Sequence, residues 1–207
     1  MSRMVRPRFA RLDPEQQQAI LRAALDEFAT RGYRDASLNR VIDAAGVSKG
    51  SMYYYFEGKA DLYAHVARVE LGRLFDELGP FPVPDTGPDA YWSALRDHYR
   101  DLVTALTASP QLLALVRGWL AASEDPALQQ VQQELERPVL PWIEGALATG
   151  QRIGAVRTDL PSGLLVAVVV GMGRAMDVWL LTRPPDESSP PDLINALVDM
   201  MRRALAP

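Results

Sequence analysis

The stretch from Ser37 to Leu62, SLNRVIDAAGVSKGSMYYYFEGKADL, leaves the chain few ways to fold. Leu38, Val41, Ile42 and Ala45 recur at i, i+3, i+4 and i+7, which predicts a helix with one buried face about two turns long. Gly46 follows at once, where a tight turn out of a helix needs a residue that accepts positive φ. Ser48 stands where a hydroxyl caps a second helix, which starts near Lys49. Met52 and Phe56, four apart, supply its inward face, and Lys49, Ser51, Tyr53, Tyr54 and Tyr55 are left for the rest. Two short helices joined by a glycine turn, the second covered with donors and stacking rings, form a helix-turn-helix with nucleic-acid-facing chemistry.

The flanking sequence extends this into a helical unit. Asp13-Pro14-Glu15-Gln16 reads as a helix start, with an Asp cap, proline at the first helical position and Gln three residues after the cap. This helix is expected to run to about Thr30, with Ile20, Ala24 and Phe28 inward and Gly32 as its stop. Ser37 is placed to cap the next. From Lys59 the apolar pattern resumes through Leu62, Val66, Val69, Leu71, Leu74, Phe75 and Leu78, a long fourth helix. It ends in GPFPVPDTGPD, residues 79–89, whose four prolines and two glycines cannot sustain a helix.

Trp92, Leu95, Tyr99, Leu102 and Leu106 form a further helical stripe, and Leu112, Val116 and Leu120 another. Leu128, Val131, Leu135, Val139, Trp142 and Ala146 form a third, interrupted by Pro138 and Pro141, where a kink or break is expected. Gly150 and Gly154 close it, and Asp159 or Ser162 can start the next. That one, LLVAVVVGMGRAMDVWLL at 164–181, is the most apolar segment of the chain. Arg174 and Asp177 fall inside it and leave too short an uncharged core for a bilayer, so it reads as a helix buried on most sides, as at a subunit interface. After TRPPDESSPP a last amphipathic helix carries Ile194, Leu197, Val198, Met201 and Leu205 on one side. No strand pattern or internal repeat appears, so the fold class is all-α.

Charge bears on which partners such a chain can have. Its net charge of −4 is unevenly spread: residues 1–68 hold 11 Lys/Arg against 8 Asp/Glu, and residues 69–207 hold 11 against 18. Both lysines, Lys49 and Lys59, lie in the first part, and Arg3, Arg6, Arg8 and Arg11 precede the first helix. Phosphate binding needs local positive charge only, and an acidic remainder limits non-specific adhesion. The 207 residues contain no cysteine, which excludes disulfides, thiolate nucleophiles and cysteine-ligated zinc and suits a reducing cytoplasm. The basic N-terminus lacks the apolar run of a secretory signal, so a cytoplasmic location is expected.

AAGVSKGSMYYYF, with Lys59 and Asp61-Leu62 after it, resembles the DNA-binding signature of the TetR (tetracycline-repressor-like) family of bacterial transcription regulators. The resemblance covers residues 13–65 closely, and beyond them only the helical layout is similar. It implies an N-terminal arm and three-helix DNA-binding domain over 1–58 and a C-terminal helical domain over 59–207 for ligand binding and dimerisation. By the same resemblance Lys49, Gly50 and Tyr53 face bases, while Ser37, Ser48, Ser51, Tyr54, Tyr55 and Lys59 hold phosphates, helped by helix N-terminal amides. Tyr55 stands where a His is usual, and Glu57-Gly58 replaces a more basic or polar pair, which weakens the case for phosphate contact there. The arginine arm is compatible with entry into a minor groove and with a solvated tail. The two last helices, about 161–182 and 191–205, resemble the pair with which such proteins build a homodimer.

The resemblance also implies a double-stranded, pseudo-palindromic operator and an unidentified small-molecule effector. No cofactor, metal or membrane partner is expected. Trp92, His98, Trp119, Trp142, Met172 and Met176 are candidates to line an effector pocket, although each also reads as ordinary core. Arg174 and Asp177 fit either a polar ligand contact or a salt bridge. An alternative is a regulator of the same fold that answers to a protein partner or is constitutive. An enzyme is the remote third: His65 and His98 are the only histidines, and no metal-spaced cluster or phosphate loop is present.

Overall fold

The computed structural model describes residues 8–79, 81–82, 84, 86–121, 129, 137, 139–182 and 190–207, and the described residues form helices and connecting turns without strands. They divide into two compact units, one of residues 1–74 with 109–136 and one of residues 75–108 with 137–207. Arg3 and Arg6 of the arm, Leu128, Val131, Leu135 and Pro138 of the interrupted stripe, and most of TRPPDESSPP lie outside the described residues.

The first unit begins with a short 3-10 turn, Phe9–Arg11, and then α1 (Pro14–Asp35), α2 (Leu38–Ala45), α3 (Lys49–Tyr55), most of α4 (Lys59–Leu78) and α6 (Pro110–Ala121). Asp13 caps α1 by accepting from the Glu15 N–H at 2.7 Å, with Pro14 in the first turn. The side chain that reaches back is Gln17, not Gln16: its amide donates to the Leu12 carbonyl at 2.8 Å. Gly32 breaks the helix where expected: at φ 68° and ψ 172° it is non-helical, and a further short helical stretch runs on to Asp35. Ile20, Leu21, Ala24 and Phe28 bury the inner side of α1, which packs on α2 and α6. Tyr63 of α4 joins this core, its hydroxyl donating to the Leu115 carbonyl of α6 at 2.8 Å. The expected α6 stripe of Leu112, Val116 and Leu120 is buried, together with Leu115.

The second unit holds the end of α4 from Phe75, then α5 (Pro88–Ala108), α7 (Leu140–Arg152), α8 (Ser162–Thr182) and α9 (Pro190–Leu205). Its core gathers Phe81, Trp92, Leu147, Val156, Leu165, Met176, Ile194 and Leu205. Phe81 shows how a proline-rich loop is fixed: it is buried against Tyr91. The expected interruption is a break, not a kink: Arg137 and Val139 lie in turns, and Pro141 sits in the first turn of α7, where a missing N–H costs nothing. Gly154, at φ 74°, follows the end of that helix, whereas Gly150 sits inside it against Val156 and Tyr91. Asp159 does not cap α8. Its carboxylate accepts two bonds from the Arg157 guanidinium, both at 2.6 Å.

Among the described residues α8 is the one helix long and apolar enough to cross a membrane. In the single chain only Leu165, Met176 and Leu181 of it are fully buried, and Val166, Val168, Val169, Met172 and Leu180 are partly buried against the same core. Leu164, Ala167, Gly171, Ala175 and Val178, three or four apart, form an exposed stripe. On α9, Ala196, Met200 and Ala204 are exposed in the same way.

Candidate nucleic-acid interface

The helix-turn-helix is built by the local signals that predict it, with one substitution of parts. Val41 and Ile42 are buried and Leu38 and Ala45 half-buried, so α2 presents the expected face. Gly46 adopts φ 66° and donates its N–H to the Asp43 carbonyl, and the Val47 N–H bonds to the Ile42 carbonyl, which closes the turn. Ser48 caps α3: its hydroxyl accepts from the Ser51 N–H at 3.0 Å and lies 2.8 Å from the Ser51 hydroxyl. Met52 and Phe56 are fully buried.

Ser37 occupies the cap position of α2, but its side chain makes no capping bond. The chain is held there by Glu27 of α1, whose carboxylate accepts from the Ser37 N–H at 2.7 Å and from Arg40 at 2.6 and 2.8 Å. The Arg40 guanidinium holds the Glu27 carboxyl below its ordinary range, with the Ser37 N–H acting the same way against desolvation. A glutamate from the preceding helix thus fixes the entry of α2.

The outer surface of α3 matches the expected assignment in accessibility. Lys49 and Gly50 are exposed, and Tyr53 and Tyr54 leave 47% and 46% of their surface open. Lys49 has no carboxylate partner among the described residues. A Cβ built on Gly50 would meet nothing nearer than the Ser48 hydroxyl at 3.9 Å, so the fold itself does not demand glycine there. Tyr55 is half-buried, its ring edge-on to Phe9 at 6.0 Å and to Tyr54 at 5.5 Å. Lys59 is partly committed elsewhere. Its ammonium donates to the carbonyls of Arg34 and Ala36 at 2.8 and 3.1 Å and lies 4.8 Å from the Tyr33 ring centroid, so two of three protons anchor α4 to the α1–α2 connection.

Phe9 and Glu27 are parts that sequence reasoning missed. Phe9 is 2% exposed, its ring 5.0 Å from Phe56 and 5.1 Å from His65. An isolated aromatic residue in an arginine-rich arm is the signal that was available. Glu27 has no comparable signal, because its partners lie 10 and 13 residues onward.

The effector candidates are divided between the two units. Trp119 belongs to the first unit, and Trp92, His98, Trp142, Met172 and Met176 belong to the second. Trp92 and Met176 are core, with the Trp92 indole donating to the Ala155 carbonyl at 3.2 Å. His98 and Trp142 pack with Phe81, at ring distances of 5.5 to 5.9 Å, and Trp142 is partly exposed. Asp177 accepts from the Tyr99 hydroxyl at 2.7 Å, and burial pushes its carboxyl up to about 6. A cavity of about 100 Å³ lies beside Glu144, Leu147, Gln151, Ser162, Leu165 and Val166, apart from all six candidates and below the roughly 300 Å³ at which small-molecule pockets begin.

Comparison with known proteins agrees with this geometry. Residues 20–66 match the family described as bacterial regulatory proteins, tetR family. The HTH-type transcriptional regulator SrpR of Pseudomonas putida is 32% identical over 194 residues, covering 83% of this chain and 87% of that protein. A transcriptional repressor of HTH type from Streptomyces coelicolor is 27% identical, with 83% and 82% covered. The crystal structure of Bacillus subtilis FadR in complex with stearoyl-CoA has the same fold, with a TM-score of 0.66 at 18% identity over 89% of this chain and 96% of that one.

Proposed function

The chain is a DNA-binding transcriptional regulator of the tetR family, and from that premise we propose that it acts as a homodimeric repressor, released from a pseudo-palindromic operator by a small molecule. The observation that carries this is the outer face of α3, where an unpaired Lys49, an unhindered Gly50 and an exposed Tyr53 share one capped helix of seven residues. A helix this short offers three or four side chains to base edges in a major groove. In this scheme Lys49 donates to guanine acceptors, Tyr53 meets a thymine methyl or base edge, and Gly50 lets the backbone approach. Ser37, Ser48, Ser51, Tyr54, Tyr55 and the remaining proton of Lys59 serve phosphates. DNA binding is assigned to 1–58, and effector binding and dimerisation to 59–207, in a cytoplasmic protein.

The uncovered apolar stripes of α8 and α9 support dimerisation through 161–182 and 191–205. A second copy laid on Leu164, Gly171, Ala175, Val178 and Met200 would remove from water a surface that one chain leaves open. The small residues at its centre allow two helices to approach closely. For the effector, the stearoyl-CoA held by Bacillus subtilis FadR makes a molecule with a long apolar chain the first class to try. The effector must favour a dimer whose two α3 helices stand at the wrong separation, since only differential affinity for two states can release DNA.

The test is light scattering on the purified protein, then titration of duplexes carrying one or two half-sites, with and without acyl-CoA. A dimer that needs both half-sites and is displaced by ligand supports the scheme. A monomer that binds one and two half-sites equally well contradicts it.

A further inference from the structure

Several cations around the helix-turn-helix are already engaged. Arg40 is bound to Glu27, Arg31 approaches the same carboxylate at 3.8 Å, and Lys59 spends two protons on carbonyls. Arg8 has no carboxylate partner among the described residues. Its guanidinium lies over the ring of Tyr54, 4.0 Å from the centroid, on the exposed face of α3. Stacking of this kind uses the flat face of the guanidinium and leaves its N–H fork free to donate in the plane.

The next residue explains why an arm ahead of the first helix stays there. Phe9 is buried among Tyr55, Phe56 and His65. The turn that follows is closed by the Arg11 N–H on the Arg8 carbonyl and the Leu12 N–H on the Phe9 carbonyl, and Gln17 of α1 holds the Leu12 carbonyl. Arg8 is therefore presented beside the outer face of α3 by a pinned segment.

We propose that Arg8 is a DNA-phosphate contact carried in register with α3, with Tyr54 as its stacking platform and Phe9 as the positioning residue. This rests on the DNA-binding reading above and adds a contact from outside the helix-turn-helix. It also assigns Tyr54 a second role, as the surface that orients the charge.

The experiment is titration of a wild-type-selected operator at several salt concentrations with Arg8→Ala, Tyr54→Leu, their double variant, Phe9→Leu and Phe9→Tyr, with Lys49→Ala as control. Arg8→Ala is expected to weaken binding about tenfold, equally across operator variants, and to lower the slope of log K against log salt by about 0.9 per half-site. Tyr54→Leu should give much of the same loss, and the double variant should lose less than the two singles combined. Phe9→Leu should reproduce the reduced salt slope although Arg8 is still present, and Phe9→Tyr should restore it. Arg8 and Tyr54 are exposed, so their variants test the contact even if Phe9→Leu unfolds. Wild-type affinity and slope in Arg8→Ala, with Lys49→Ala impaired, would overturn the proposal while DNA binding stands. Strictly additive losses would do the same, as would a loss confined to A·T-flanked sites, which marks a minor-groove arm. If the wild-type protein selects no duplex, both the proposal and the reading beneath it fall.

Discussion

Replacing Gly50 with alanine should move stability and DNA binding in opposite directions. Gly50 is the second residue of α3 and has no positive φ, and an added Cβ would sit 3.9 Å from its nearest neighbour, an ordinary contact. No strain or clash opposes the methyl group, while alanine is favoured over glycine in a helix by up to about 1 kcal/mol, less near an end. The variant should therefore melt at the same temperature as wild type or slightly higher. On DNA the same methyl stands between the helix backbone and the base edges. A displaced recognition helix loses its best contact at each half-site, worth roughly 1–3 kcal/mol, so affinity for the selected operator should fall at least tenfold. Thermal unfolding by circular dichroism and fluorescence anisotropy on one protein batch measure the two quantities. An operator affinity within twofold of wild type would refute the assignment of Gly50 to a close approach. A marked drop in melting temperature would show that the fold itself needs this glycine.

Other substitutions test the architecture that carries the site. Lys59→Met should cost about 1.5–3 kcal/mol in denaturant unfolding, because the Arg34 and Ala36 carbonyls lose a charged donor. A variant of unchanged stability would return Lys59 to a purely DNA-facing role. Gly150→Ala places a Cβ 2.5 Å from Val156 Cγ2 and 3.0 Å from Tyr91 Cζ, so it should lower stability by about 1–3 kcal/mol. An unchanged melting midpoint would contradict that packing. Burial among Phe9 and Phe56, with Arg68 adding to it and Asp61 opposing it, depresses His65 to about 4 from 6.5. The unfolded chain takes up this proton first, so the contribution is complete above about pH 6.5 and lost as pH falls toward 4, roughly 3 kcal/mol in all. The pH dependence of unfolding should therefore be shallower in His65→Phe than in wild type between those limits, and identical slopes would show that His65 is not buried neutral.

What the sequence made legible is what short-range chemistry decides. The α2–α3 turn depends on apolar spacing, a glycine at positive φ and a serine cap within 20 residues, and each can be read one turn at a time. The same holds for the ends of α1 and α4. The misses share a different cause. Glu27 replaces the Ser37 hydroxyl because α1 happens to cross the start of α2, and Gln17 outreaches Gln16 because of where the 3-10 turn lies. Lys59 is drawn to carbonyls exposed just after the kink at Gly32. Trp119 and Trp92 read alike as helical tryptophans, yet the chain returns to the first unit at Ser109, so that the two belong to different units. Such facts depend on which faces meet across long separations, and no local pattern encodes them.

The central claim is that α3 reads a DNA sequence. Selection of duplexes from a random library by the purified protein, followed by titration of the enriched site at two salt concentrations, tests it most directly. The account predicts an enriched pseudo-palindrome with half-site centres one helical turn or a multiple apart, bound far more tightly than random DNA of equal length. Weak binding that is equally steep in salt for every duplex, with no enriched sequence, would contradict it.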